Sequence, residues 1–134
     1  MMIGLLIVTH CDLGKEFLRA AEFIVGHLEA ADTVQINDPS DSETIRNEIE
    51  KKMTALNRGK GILILTDMFG GTPSNLSLSF LKEGEVEVLT GVNLPMIITI
   101  AQYRSTLELN ELAKKAQEAG KTSISLASRL LESL

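Results

Sequence analysis

The stretch Ile62 to Asn75, ILILTDMFGGTPSN, decides the fold. Four consecutive aliphatics, Ile62 to Leu65, fit a strand covered on both faces, the pattern of a central parallel strand rather than of one with a wet side. Thr66 and Asp67 follow at its carboxyl end, then Gly70 and Gly71, then Thr72 and Pro73, which read as the N-cap and first position of a helix. The glycines let backbone N–H groups face outward, and a helix start favours negative charge. A strand, an acid, a flexible turn and a helix start, in that order, suit a phosphoryl group. The stretch has neither the lysine of a Walker loop nor the glycine spacing of a dinucleotide fingerprint.

A second aliphatic run, Ile3 to Val8, leads into Thr9, His10, Cys11, Asp12 and Leu13. Both runs therefore end in threonine followed by a group able to move protons or accept a phosphoryl group. Further along, Thr33 to Ile36 and Val86 to Thr90 read as two more strands. Helical patterns separate them: Phe17, Ala21, Ile24 and Leu28 after Asp12, then Ile45, Ile49, Met53 and Leu56 behind a Ser40/Glu43 capping box and ended by Gly59, then Pro73 to Leu81. After Gly91, Val92, Asn93, Leu94 and Pro95 comes Met96 to Ala101, a helix apolar all round that needs cover from this chain or a partner. Ser105 with Glu108 caps a helix carrying Leu109, Leu112, Ala113 and Ala116, stopped by Gly120. Lys121 to Leu126 is a candidate fifth strand, an antiparallel one at the sheet edge, and Ala127, Leu130, Leu131 and Leu134 form a candidate last helical turn.

Strands alternating with helices predict an α/β fold: an open, mainly parallel, doubly wound sheet of order 2-1-3-4 with helices on both faces. In such sheets the ligand crevice opens where neighbouring strands send their helices to opposite faces. That point lies between His10 and Asp67.

The totals narrow the classes. A chain of 134 residues suits one domain, and 44% hydrophobic with 23% charged residues is a globular composition. No run reaches the length of a membrane span, and Ile3 to Val8 has no basic lead, so the expectation is a cytoplasmic protein without a signal peptide. A net charge of −5 argues against nucleic acid as a partner. One cysteine excludes an intrachain disulfide and cannot alone build a structural zinc site. No metal or cofactor is expected. The adjacent pairs Lys51–Lys52 and Lys114–Lys115 read as solvated helix faces.

Histidine acts as a nucleophile when one ring nitrogen is free and a partner on the other fixes the tautomer. Asp67 is the natural partner for His10, because a carboxylate accepting one N–H leaves the opposite nitrogen with its lone pair. Thr72 and the N–H groups around Gly70 and Gly71 then bind phosphoryl oxygens. Thr9 and Asn93 are expected to line the site, since both leave the same sheet edge. Phosphoryl transfer needs chiefly positioning and charge stabilisation, so few groups suffice.

The motifs THC at 9 to 11, DMFGGTPSN at 67 to 75 and GVNLPM at 91 to 96 resemble the IIA domain of the mannose family of the bacterial phosphotransferase system, and the likeness runs through nearly the whole chain. The resemblance implies a single phosphocarrier domain in which His10 accepts a phosphoryl group from phospho-HPr and passes it to a IIB component that phosphorylates sugar. It maps the hydrogen-bonded carboxylate onto Asp67 and an active-site hydroxyl onto Thr72. It also implies a homodimer with a C-terminal strand exchanged between subunits, and contact with the membrane only through a permease complex. Cys11 stands where the family more often has glycine, and the IIB domain that often accompanies the family is not within these residues.

Other readings are compatible with the same residues. His10 phosphorylation is also compatible with a regulatory module that reports phosphotransferase flux to a partner, or with the phosphocarrier of dihydroxyacetone kinases, although the GGTP turn fits the mannose type better. Asp67 as a phosphate acceptor of receiver type needs more acids after the first strand than Asp12 supplies. His27, near a helix C-terminus, reads as a complement to the dipole with no role in chemistry. Cys11 reads as incidental rather than as a metal ligand or redox switch.

Overall fold

The computed structural model describes residues 1–132. The elements run β1 (Gly4–His10), α1 (Leu13–Val25), β2 (Ala31–Ile36), α2 (Ser42–Leu56), β3 (Ile62–Thr66), α3 (Thr72–Leu78), β4 (Val86–Thr90), α4 (Leu94–Tyr103), α5 (Leu109–Thr122) and α6 (Ala127–Glu132). The strands form one parallel sheet of order β2-β1-β3-β4, as the alternation predicts. The two central strands, β1 and β3, are buried along their whole length except at His10.

Alternation along these strands sends side chains to two cores. Leu5, Ile7, Leu63 and Leu65 pack with Met96, Ile97, Ile100, Leu112 and Ala116 beneath α4 and α5. Leu6, Val8, Ile62 and Ile64 pack with Ile45, Ile49 and Leu76 beneath α2 and α3. Each such aliphatic side chain, fully buried, contributes about 1.5–3 kcal/mol. A single helix layer on each face leaves the strands' carboxyl ends free, and the loops that carry Cys11, Asp67 and Gly91 all lie along that edge.

Several local expectations change. Helix α1 ends at Val25 because Gly26 takes φ +89, so Leu28 lies beyond it, and Ile24 is 58% exposed, outside the stripe. His27 is therefore off the helix, with Nδ1 3.0 Å from the Glu22 carboxylate. The Ser40/Glu43 capping box does not form: the Ser40 hydroxyl and N–H both donate to Asp38 Oδ1, at 2.6 and 3.0 Å, and α2 starts at Ser42. It buries Ile45, Ile49 and Leu56 as predicted, but stops at Leu56, short of Gly59. Gly71, not Thr72, is the N-cap of α3, which ends at Leu78 rather than at Leu81.

The apolar helix α4 packs on α5 and α1 of its own chain. Glu108 precedes α5 without a side-chain capping bond, so the Ser105/Glu108 box is also absent. Gly120 does not stop α5, which runs to Thr122. It is a close-packing position, where a Cβ would come within 2.8 Å of Met96 Cε. Lys121 to Leu126 forms no strand, because α5 keeps its helical hydrogen bonds into this stretch and α6 begins at Ala127. Leu134, assigned above to the last helical turn, lies outside the described residues. Among those residues β4 is thus an edge strand.

Arg104 fastens the opposite end of the sheet. It is only 3% exposed, and its Nε and Nη2 donate to Ile3 O at 2.9 and 2.8 Å, with Nη2 also reaching Ala30 O at 2.6 Å. The starts of β1 and β2 are thereby tied to the end of α4. No helix among the described residues is long and apolar enough to cross a membrane.

Candidate active site at the carboxyl ends of β1 and β3

Strand register builds the site. β1 pairs with β3 up to Val8↔Thr66, whereas its pairing with β2 continues to His10↔Ile36. Beyond Val8, β1 therefore projects past β3 with one side unpaired. Successive N–H groups of a strand face opposite neighbours, and Cys11 N–H finds Ile36 O on β2 at 3.0 Å. The His10 N–H faces the other way, where β3 has already turned aside. Asp67, the first residue past β3, fills that gap: its Oδ2 accepts the His10 N–H at 3.0 Å.

The same oxygen lies 2.7 Å from His10 Nδ1, and Asp67 Oδ1 accepts the Met68 N–H at 3.0 Å. One carboxylate thus holds the main chain and the ring of one histidine. Burial raises the Asp67 pKa, but the hydrogen bonds from the His10 backbone and ring, with the ring's charge, outweigh it and leave the carboxyl below its ordinary value. Asp67 is therefore ionised at neutral pH. Accepting the Nδ1 proton, it fixes the tautomer in which Nε2 carries the lone pair.

The ring's reactive edge faces the start of α3. A Cβ built on Gly71 would stand 2.9 Å from His10 Cε1 and 3.4 Å from Nε2, so the absence of a side chain there is what admits the imidazole. Gly70 meets no such crowding but takes φ +91, a conformation costly for other residues. Thr72, at the first position of α3, is half-buried, and no other group among the described residues engages its hydroxyl. With the His10 side chain 47% exposed, the arrangement is an open platform that a second protein can reach. Met68 and Phe69, 57% and 71% exposed, flank it with apolar surface.

Two residues expected to line the site have other occupations. Thr9, on the opposite face of β1 from His10, is fully buried, and its hydroxyl accepts the Gly14 N–H at 2.7 Å, capping α1 from a distance. Asn93 caps α4 by accepting the Met96 N–H at 3.1 Å and donates to Gly120 O at 3.0 Å. His10, Asp67, Gly70, Gly71 and Thr72 are brought together. Cys11 is exposed with φ +50, the left-handed conformation that glycine adopts freely.

Comparison with known proteins establishes the family and the fold. The profile of the EIIA-man family, described as the PTS system fructose IIA component, matches residues 4–117. The chain belongs to that family. Among its relatives, the sorbose-specific EIIA component of Lacticaseibacillus casei is 30% identical over 127 residues, covering 90% of each chain. The mannose-specific EIIAB component of Escherichia coli K12 is 29% identical over 126 residues, which are 92% of this chain but 39% of that one. Of solved structures, phosphotransferase system component EIIA from Streptococcus agalactiae superposes with a TM-score of 0.86 at 27% identity, covering 96% of this chain and 99% of that chain. The mannose/sorbose specific IIA subunit from Enterococcus faecalis gives 0.82 at 25%, covering 94% and 95%. The α/β fold of this EIIA-man chain is thus that of the family's solved IIA components.

Proposed function

We propose that this chain is one mannose-type IIA phosphocarrier domain whose His10 takes a phosphoryl group from phospho-HPr and hands it to a IIB component during sugar uptake. The observation that carries the reading is the 2.7 Å contact between His10 Nδ1 and Asp67 Oδ2. In the forward step the Nε2 lone pair attacks phosphorus, the N–P bond to the donor histidine breaks, and the phosphorylated ring keeps its proton on Nδ1, donated in a hydrogen bond to the Asp67 carboxylate. The ring becomes cationic as the N–P bond forms. Asp67 stabilises that charge most when it is greatest, which lowers the barrier rather than only tightening binding. The Thr72 hydroxyl and the backbone N–H groups of the Gly70–Gly71 turn serve the phosphoryl oxygens. Transfer to IIB is the same step reversed.

The site works in the cytoplasm and touches the membrane only through a permease complex. The working unit is a homodimer. Supporting that, among the described residues β4 is an edge strand bridged on its outer side only at Val86, by Lys82, and Ile124, Leu126, Leu130 and Leu131 at the C-terminal end are 56–79% exposed. The relatives' names span mannose, sorbose and fructose, so the substrate is sought among hexoses.

Incubation with phosphoenolpyruvate, enzyme I and HPr should label one acid-labile, base-stable site, and His10→Ala should abolish the label. Full labelling of that variant would refute the assignment.

A further inference from the structure

A depression of 380 Å³ opens at the amino-terminal end of the sheet, on the far side of the molecule from His10, with Leu28, Glu29, Ala101, Gln102, Arg104 and Ser105 in its lining. Its unusual member is Arg104. The guanidinium spends Nε and Nη2 on the main-chain carbonyls of Ile3 and Ala30, while Nη1 donates to nothing among the described residues. Arg104 forms no ion pair there either, since no carboxylate oxygen comes within 4.0 Å. Buried charges in proteins are ordinarily paired, because neutral carbonyls return only part of the hydration that burial removes. Burial does lower this guanidinium's pKa, Arg58 adding to the effect and Glu29 opposing it, but arginine stays charged at neutral pH. Glu29 is close enough to be felt, yet exposed and not closed onto the cation. What remains is a positive group, largely dry, with one unspent donor nitrogen, on the wall of a depression of ligand size.

We propose that this depression binds a small organic monocarboxylate, whose carboxylate accepts from Arg104 Nη1 and whose body rests on Leu28 and Ala101. The class follows from the charges. One spare guanidinium nitrogen matches one carboxylate, and Glu29 on the same wall repels a phosphate dianion more strongly than a monoanion, while His27, also in the lining, is engaged by the Glu22 carboxylate at 3.0 Å. Gln102 and Ser105 at the opening offer polar contacts to a hydroxyl or keto group on such a ligand. The site stands apart from His10, and its test is independent of phosphocarrier activity.

The probe is sodium lactate, titrated into the isotopically labelled chain and followed by amide resonances, with sodium chloride and inorganic phosphate at matched ionic strength as comparisons. The resonances of Gln102 and Ser105 should shift and saturate with a dissociation constant on the order of 1 mM, as befits so few ligand atoms. Ser105→Asp places a second carboxylate at the opening without touching the Arg104–carbonyl bonds. It should weaken binding at least about tenfold, leaving His10 labelling and the melting temperature as in the parent protein. Glu29→Gln should tighten binding. Shifts that remain linear in lactate as in chloride, saturation by phosphate in place of lactate, or unaltered affinity in Ser105→Asp would each overturn the proposal.

Discussion

Alanine at position 71 separates the reactive ring's placement from the stability of the fold. Gly71 has φ −85 and ψ 171, extended backbone that alanine adopts without strain. The loss of unfolded-state freedom on its own favours alanine by about 0.4–1 kcal/mol. The new Cβ, however, would lie 2.9 Å from His10 Cε1 and 3.4 Å from Nε2. Carbon atoms rest at about 3.5–4.0 Å, so the ring must retreat by roughly 0.6–1 Å. It has little room to do so, being held from behind by the 2.7 Å bond to Asp67. Misplacing a reacting group by about 1 Å costs about a hundredfold in rate. Gly71→Ala should therefore melt at the parent temperature or up to about 3 °C above it. Its initial rate of labelling from phospho-HPr, measured with radiolabelled phosphoenolpyruvate, should fall about a hundredfold. A parental rate at a parental melting temperature would show that the ring is not positioned by this contact, and loss of both would make Gly71 a folding residue.

Asp67→Asn should keep its circular dichroism spectrum yet slow phosphoryl transfer about tenfold or more, because a neutral amide forfeits the charge-assisted bond to the ring; unchanged rates would remove Asp67 from the mechanism. Because the Asp67 pKa is depressed in the folded protein, the unfolded chain holds more protons as pH falls past the ordinary carboxyl value. The stability that the charged carboxylate provides should thus be fully present above about pH 4 and decline below it, so the difference in melting temperature between the parent and Asp67→Asn should shrink on acidification. Thr9→Val should lose the cap on Gly14 N–H, costing about 1 kcal/mol and lowering the melting temperature by about 3–4 °C, as calorimetry would read. Cys11→Gly relieves φ +50 and should hold or raise the melting temperature with labelling intact; a fall of several degrees would show that this backbone conformation carries no strain for glycine to relieve.

The features carried by periodicity were legible in the sequence. Ile3 to Val8 and Ile62 to Leu65 read as central strands, and the sheet order expected of alternating strands and helices sets His10 opposite Asp67. What eluded the sequence was set by competition among local hydrogen bonds or by tertiary contact. Ser40 had two acids within reach, and the nearer Asp38 won over Glu43. Gly120 looked like a helix stop because its other reason for being glycine, the approach of Met96, is a contact across helices. Thr9 and Asn93 leave the expected edge, but the alternation of the strand in one case and a backbone carbonyl of α5 in the other direct their polar atoms elsewhere. The sequence suggests for Gly71 only an outward N–H, whereas its distinctive contribution is the space it leaves beside the ring. Arg104 lies in no motif, and only the meeting of three chain segments reveals why it is there.

The grip of one carboxylate oxygen on both the amide and the imidazole of the same residue has a mechanical corollary. Flexing of the sheet, or pressure from a protein seated on Met68 and Phe69, carries peptide, acid and ring together as a rigid unit. The angle at which the lone pair leaves the surface is thereby insulated from whichever visitor is docked. Under the proposed phosphocarrier role, donor and acceptor, arriving in turn with different shapes, are each presented with an identical target.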